Sequence, residues 1–416
     1  MRLLVPNSRN AQAYALIRSL RSRAERIVAL AERRWPGESW LAHGAFAREV
    51  DRRIATTWPM DAWERGPRGA ANAPAEGRYL AEVERVCEEE RIDWAFPSVE
   101  GTIYVFARNC ARLLRRGVSL VCPPLEVVER VNDKLDCMRH LAEAGVVVPR
   151  SLALSADSLR EAAAELGFPL VVKPRRASAS RGVHVIRDLD GLRWAHGALE
   201  KRYGDPMVQE YIPGPLDGGF LRVIGVADST GTVLGLHVAR TLLTLFPDAV
   251  LPPAVARSER HEGVAAVTAG AVKALGITGP FLLQFKVDSR DGRPKLLEAN
   301  CKLSYRVWTA MADGIDVPRL ALDVAARREV RAVEPARVGT VFVNQIELLL
   351  ARLLHPGRAK TVAAIVREGP RVIDPYVAHF ARHPTVSARW WAIFLGFALK
   401  ERLIRRLRKA GPRGQR

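Results

Sequence analysis

Two rhythms of apolar and polar residues alternate along the first third of the chain. "RLLVP", "RIVALA", "IDWAFPS" and "VSLVCPP" are short apolar runs, whereas "AQAYALIRSLRSRA", "RYLAEVERVCEEER" and "TIYVFARNCARLLRRG" repeat their apolar positions at helical spacing. Strands of this kind separated by helices predict a parallel, doubly wound α/β sheet, because parallel neighbours need crossovers and are covered on both faces. The first strand-to-helix turn, "VPNSRNAQ", lacks the glycines that let backbone approach a pyrophosphate, so dinucleotide binding of the GxGxxG type is not expected. Trp35 to Gly77 has no clear period and reads as long loops with one short helix.

From Pro124 the pattern changes. A helix is predicted over "LEVVERVNDKLDCMRHLAEAG", ending at Gly145, followed by "VVVPRSLAL" and a second helix, "DSLREAAAELG". Two β-like runs then flank a basic loop in "VVKPRRASASRGVHVI", and "PMVQEYIPG" leads to strands "LRVIGVAD" and "VLGLHVAR" about a turn at Ser229 to Gly231. After the helix "EGVAAVTAGAVKALG", the runs "PFLLQFKVDS" and "RPKLLEAN" are joined by Arg290-Asp291-Gly292, which has hairpin chemistry. Beyond residue 330, "VFVNQIELLLARLL" and "AKTVAAIVREG" read as helices. The expected division is an α/β domain over 1–123, an α+β domain over 124–330 and a helical extension with a basic tail over 331–416.

Composition narrows the function. With 416 residues the chain exceeds one ordinary core, and 48% hydrophobic residues supply enough apolar material for several. Of the net charge of +19, nearly half sits beyond Ala381, where ten Lys/Arg face Glu401 alone. That placement argues against a nucleic-acid binder, which would carry its charge on a recognised module. Five scattered cysteines without a CxxC pair indicate neither zinc knuckle nor disulfide framework and suit a reducing cytoplasm. The first residues lack a signal-peptide pattern, and no apolar run is long enough to span a bilayer. The tail "RWWAIFLGFALKERLIRRLRKAGPRGQR" fits an interfacial helix at the inner face of a membrane, or equally a docking helix with a solvated basic end.

Three stations carry chemistry. Lys173 ends a buried strand, where an ammonium is costly unless it reaches solvent or meets an anion. The loop after it adds small residues, hydroxyls and Arg181, a composition that wraps oxyanions or forms a solvated turn. In the hairpin, alternation places Gln284 and Lys286 on one face and Glu298 and Asn300 together on the partner strand. If the faces meet, the oxygens of Gln284, Glu298 and Asn300 converge as a set suited to Mg²⁺; otherwise they line an exposed edge.

In this order the stations resemble the ATP-grasp superfamily of ligases, over roughly Met1 to Val330. The resemblance implies a pre-ATP-grasp N-terminal sheet and a two-lobed ATP-grasp domain. It implies that Lys134 and Lys173 reach nucleotide phosphates and that Ala177 to Val183, with Ser178, Ser180, Arg181 and Gly182, closes over them. Gln209, Glu210, Tyr211 and Ile212 would form the adenine hinge, with Glu210 on the amino group and Ile212 in backbone contact, and Asp217 is the nearest acid for the ribose. Gln284, Glu298 and Asn300 would hold Mg²⁺ (or Mn²⁺), while Lys302 and Arg240 would be the catalytic cations, Arg240 having a plain surface role as its alternative. The implied activity is ATP-dependent: a small-molecule carboxylate becomes an acyl phosphate that an amine captures. Oligomeric state stays open, a homo-oligomer included. The chain departs from the family pattern in its single loop glycine, in Cys301-Lys302 where Pro-Arg is usual, and in Gln284 where a carboxylate is frequent. Those departures keep a second reading alive, a nucleotide-binding module without ligase activity.

Overall fold

Leu3, Leu4 and Val5 have no exposed surface, as a strand covered on both faces requires. The computed structural model describes residues 1–8, 10–33, 43–57, 73–177, 181–215, 217–244, 255–343 and 371–373. Its first sheet consists of β1 (Arg2–Val5), β2 (Arg26–Arg33), β3 (Arg52–Thr57), β4 (Trp94–Ala95) and β5 (Ser119–Leu120), all parallel, in the order β3-β2-β1-β4-β5. Helices α1 (Ala11–Leu20), α2 (Ala73–Glu89), α3 (Glu100–Arg108) and α4 (Cys110–Leu114) make the crossovers. The expected parallel sheet is present, with β3 as an edge strand inside the stretch read as loops. Its "RRIATT" is mostly exposed, so no apolar run announced it.

Helices α5 (Leu125–Asn132) and α6 (Lys134–Glu143) occupy the segment expected to be one helix. Asp133 breaks it: its backbone is extended at φ −86° and ψ 101°, and its carboxylate caps α6 by accepting from the N–H groups of Leu135 and Asp136. An aspartate at this position satisfies amides that a helix start leaves without partners.

A four-stranded antiparallel sheet follows, built from β6 (Ser151–Ala153), β7 (Leu170–Pro174), β8 (His184–Ile186) and β9 (Pro206–Glu210) in the order β6-β9-β7-β8. Helices α7 (Leu159–Leu166) and α8 (Leu189–Tyr203) bury Leu166, Leu192 and Leu199 against Leu170, Val172 and Val208. The third sheet takes β10 (Phe220–Ala227), β11 (Val233–Leu243), β12 (Val255–Glu259), β13 (Gly279–Val287), β14 (Pro294–Asn300), β15 (Val341–Val343) and β16 (Arg371–Ile373), with α9 (Glu262–Leu275), α10 (Val307–Ala312) and α11 (Val317–Ala325). Its order is β14-β13-β10-β11-β12-β15-β16. Val341–Val343 is therefore a strand where a helix was expected, and strands from beyond residue 330 extend this sheet. The rest of the expected helical extension, including the basic tail, lies outside the described residues.

The two faces of the third sheet have different partners. Leu221, Val223, Leu283 and Phe285 pack under α5, α6 and α9. On the opposite face, Ile224 and Leu282 join α10, α11 and α1 in a cluster reaching Val5 and Phe96. The remainder of that face, toward Gln284 and Lys286, opens to the four-stranded sheet. Among the described residues no helix is long and apolar enough to cross a membrane.

Asp133 also receives Arg175 at 2.8 Å and Arg176 at 2.9 Å, which ties α6 to the end of β7. Replacing a buried, doubly paired carboxylate takes an anion from two guanidinium groups, of which Arg175 keeps Asp136 at 3.0 Å. Asp133→Ala is expected to lower unfolding stability by about 3 kcal/mol in a denaturant titration, and Asp133→Asn, which keeps a cap, by less.

Candidate active site

A cleft of about 860 Å³ separates the four-stranded sheet from the free face of the third sheet. Lys173 enters it from the end of β7 and Lys134 from the first position of α6. Gln209, Glu210, Tyr211 and Ile212 line it where β9 ends, and Gln284, Lys286 and Glu298 rise from β13 and β14. The two lysines expected at the phosphates, the residues expected to form the hinge and two of the three metal candidates thus meet in one space.

Lys173 is buried, 7% exposed, and donates to Gln209 Oε1 at 2.9 Å. Gln209 passes the order on, its amide donating to Ser151 Oγ at 2.9 Å. Burial pushes the Lys173 ammonium down to about 8, against the pull of Glu298 upward. A desolvated cation on the wall of an open cleft is prepared for an anion. Lys134 stands beside it, 3.7 Å from Glu298, and its ammonium donates to the Ala177 carbonyl at the root of the loop.

Glu298 reaches the cleft through a β-bulge. Counting back from the hairpin turn, Lys286 pairs with Lys295 and Phe285 with Leu296, so uninterrupted pairing would set Leu297 opposite Gln284. The ladder slips at that point and Glu298 takes the position, accepting from Gln284 Nε2 at 3.1 Å. Bulges re-aim side chains in this way near active sites. Asn300 follows on the same face, opposite Leu282, one step beyond the residues that line the cleft.

The basic loop is less open to a ligand than its composition suggests. Arg175 and Arg176 are spent on Asp133, and Arg181 is the loop arginine that lines the cleft. Ser178 and Ser180 lie outside the described residues. Gly182 has φ +74°, and a Cβ there would fall 2.8 Å from Leu199 and 2.9 Å from Pro174. The single glycine therefore stands where both backbone and space demand one.

At the hinge end Lys286 is buried, its ammonium 4.9 Å from the centre of the Tyr211 ring, and burial lowers its affinity for protons. Its alternation with Gln284 was the sequence signal for this cleft residue, although no role was attached to it. The Glu210 carboxylate, expected on an amino group, is engaged by Arg290 at 2.6 Å, and Arg290 is held by Asp288. Burial raises the Glu210 carboxyl, but Arg290 and the Arg150 N–H outweigh it and keep it below the ordinary range. Asp217 lines the cleft with Thr244, whose N–H and hydroxyl it accepts at 2.7 Å.

The two expected catalytic cations do not line the cleft. Arg240 sits inside β11, which continues to Leu243, and pairs with both carboxylate oxygens of Glu259 at 2.6 Å. Lys302 forms an ion pair with Glu100, the first residue of α3. Burial raises the Glu100 carboxyl, yet Lys302, with a further contribution from Lys134, holds it low. Opposite Gln284 on β10 stands Arg222, a basic residue that the strand pattern did not single out.

No family model matches the chain. It is 22% identical over 285 residues to the N-terminal section of the carbamoyl phosphate synthase large chain of Methanopyrus kandleri, covering 65% of this chain and 49% of that one. It spans about half the length of the curated relatives it matches. The biotin carboxylase domain of Hydrogenobacter thermophilus 2-oxoglutarate carboxylase, solved with MgADP and bicarbonate, superposes with a TM-score of 0.64 at 16% identity, over 82% of this chain and 73% of that one. An L-amino acid ligase from Bacillus licheniformis superposes with a TM-score of 0.58 at 17% identity, over 78% and 74%. With the three sheets, the cleft between the second and third, and the order of its lysines and carboxylate, these likenesses show that the chain has the fold of the ATP-grasp superfamily, to which these relatives belong.

Proposed function

We propose that the protein is an ATP- and Mg²⁺-dependent ligase that converts a small-molecule carboxylate into an acyl phosphate and passes the acyl group to an amine. The observation that carries this reading is the convergence of Lys134, Lys173, Gln284 and Glu298 in one cleft. The carbamoyl phosphate synthase and L-amino acid ligase relatives support it, and the bicarbonate-bound neighbour shows a carboxylate-type group in the same fold. The departures at Gln284 and Lys302 do not by themselves favour a purely nucleotide-binding module: Gln284 orders Glu298 by donating to it, which leaves the carboxylate at the cleft, and Lys302, which does not line the cleft, is paired with Glu100.

In this mechanism Tyr211, Ile212 and Lys286 enclose the base, Asp217 faces the ribose, and Lys134, Lys173 and Arg181 take the phosphates. Glu298, ordered by the Gln284 amide that donates to it, would be the carboxylate that holds Mg²⁺, and Asn300 follows on the same face; a single carboxylate completed by phosphate oxygens and water is the usual provision for Mg²⁺. When bound there, Mg²⁺ supplies neutralisation of charge on the phosphoryl oxygens. The substrate carboxylate oxygen attacks the γ-phosphorus and the bond to the bridging oxygen breaks, leaving its electrons on ADP. The neutral amine nitrogen then attacks the acyl carbon, the carbon–oxygen bond breaks with its electron pair going to phosphate, and the departing phosphate takes up the proton that the nitrogen loses. The two lysines hold the γ-phosphoryl oxygens in line, which is most of the catalytic work in such transfers.

Amino acids should be screened for stimulated ADP release with hydroxylamine as capture nucleophile, which turns an acyl phosphate into a hydroxamate. In that assay Glu298→Ala is expected to lose at least about 100-fold in rate while its circular dichroism stays native. Wild-type turnover by that variant would refute the assignment of Glu298. Lys173→Met should abolish measurable ATP binding by calorimetry and yet raise the melting temperature of the free protein, because it removes a desolvated charge.

The depressed proton affinity of Lys173 also sets a pH dependence. In the free protein the ammonium discharges through about 8, below the 10.5 of an ordinary lysine, so between those values the unfolded chain binds more protons and stability rises with pH. ATP requires the charged form, so apparent affinity should fall by roughly tenfold between pH 7 and pH 9, with proton uptake on binding. Lys173→Arg should flatten that slope, which calorimetry in two buffers of different ionisation enthalpy would detect.

A further inference from the structure

Lys286 brings a third lysine to the cleft wall, two residues along β13 from Gln284 toward the hairpin turn. It is 6% exposed, and the ladder sets it between Phe220 of β10 and Lys295 of β14. Its ammonium stands 4.9 Å from the centre of the Tyr211 ring, and among the described residues no oxygen accepts a hydrogen bond from it. The carboxylates around this end have other partners. Asp288 is held by Arg290 at 2.5 Å and Lys295 at 2.8 Å, Glu210 by Arg290 at 2.6 Å, and Asp217 by Thr244. An ammonium has three N–H donors, and a ring face meets only one side of it. A buried lysine on the wall of an open cavity, with donors still to place, points to an acceptor on whatever fills the cavity.

At this end the filling group is the nucleotide base, because the phosphates belong with Lys134, Lys173 and Glu298 at the other. In the ligase reading the hinge from Glu210 to Ile212 meets the amino group of the base and the ring nitrogen beside it. Guanine presents an oxygen in place of that amino group and is refused there. Cytosine, however, also carries an amino group next to an acceptor nitrogen, so the hinge edge alone does not separate it from adenine. What a purine has in addition is a pair of acceptor nitrogens away from that edge, N7 and N3, and a pyrimidine has neither. Either is a hydrogen-bond acceptor of the kind Lys286 lacks, and a hydrogen bond from a charged donor is among the stronger ones.

We propose that Lys286 is a base-specificity residue, whose ammonium donates to N7 or N3 of a purine seated at the hinge and thereby separates adenine from cytosine nucleotides. This assignment rests on the reading of the cleft as an ATP site and adds to it the residue that recognises the base as a purine.

Calorimetric titration of the full chain with ATP, 7-deaza-ATP, 3-deaza-ATP and CTP, each with Mg²⁺, tests it. The wild type is expected to bind one of the two deaza analogues about tenfold or more weaker than ATP, and which one it is identifies the nitrogen. Lys286→Met, which keeps an apolar stem of similar length, should lose about the same factor for ATP and nothing further for that analogue, so that the two losses do not add. Its affinity for CTP should stay at the wild-type value, and its preference for ATP over CTP should shrink accordingly. If Lys286 serves only to hold Tyr211, the variant weakens all four nucleotides together, and that result overturns the assignment. Wild-type binding of both analogues as tightly as ATP overturns it too, and this measurement needs no variant to fold. Absence of ATP binding by the wild type removes the nucleotide reading of the cleft itself, so the two failures differ in what is seen.

Discussion

One buried carboxylate organises the nucleotide end of the molecule. Asp133 interrupts what would be a continuous helix, starts α6, and thereby gives Lys134 the first helical position facing the cleft. The same carboxylate clamps Arg175 and Arg176, two and three residues beyond Lys173. Both cleft lysines are therefore positioned from one anchor. Burying one anion among two guanidinium groups and two helix amides is tolerable because every oxygen is engaged. This clamp leaves the loop's remaining cation, Arg181, at the cleft.

The contrast between Lys173 and the loop arginines shows how burial distributes charge. Lys173 is held by a neutral amide oxygen, and its burial outweighs the pull of Glu298, so its proton is loosened. Arg175 is matched to carboxylates, which offset the burial it shares, and its proton is held more tightly than usual. A cation that is ordered but not neutralised is the one able to gain most from a phosphate. Lys302 belongs to the matched group through Glu100, a pair that ties the end of β14 to the start of α3.

Local chemistry was readable in the chain, and long-range partnership was not. Lys173 at a strand end and the pair Glu298 and Asn300 at alternate positions announce themselves within a few residues. The doubly wound sheet was equally legible, because β1 and β2 are buried and apolar and the runs that contain β4 and β5 are apolar enough to show it. Strand β3 escaped because an exposed edge needs no apolar run, and Val341–Val343 because three apolar residues fit a helix or a strand equally. The helix break at Asp133 was written in "ND", a capping signal overridden by a helical period that continues on both sides. The engagement of Arg240 by Glu259 and of Lys302 by Glu100 depends on residues brought in by other strands and helices, and no spacing rule reaches that far.

The bulge before Gln284 makes the site a matter of parity. Side chains on a strand have two directions, so the number of residues between the hairpin turn and Glu298 decides, as odd or even, which of Leu297 and Glu298 meets Gln284. One residue inserted into or deleted from Pro294–Leu297 would exchange a carboxylate for a hydrocarbon at the phosphate end while leaving composition almost untouched. The hairpin turn at Asp291-Gly292 is exposed and could vary in length, but the bulge confines that freedom to changes that leave the count beyond it intact. A divergent relative could thus lose or regain its chemistry by a single codon of length, with every functional residue still spelled out in its sequence.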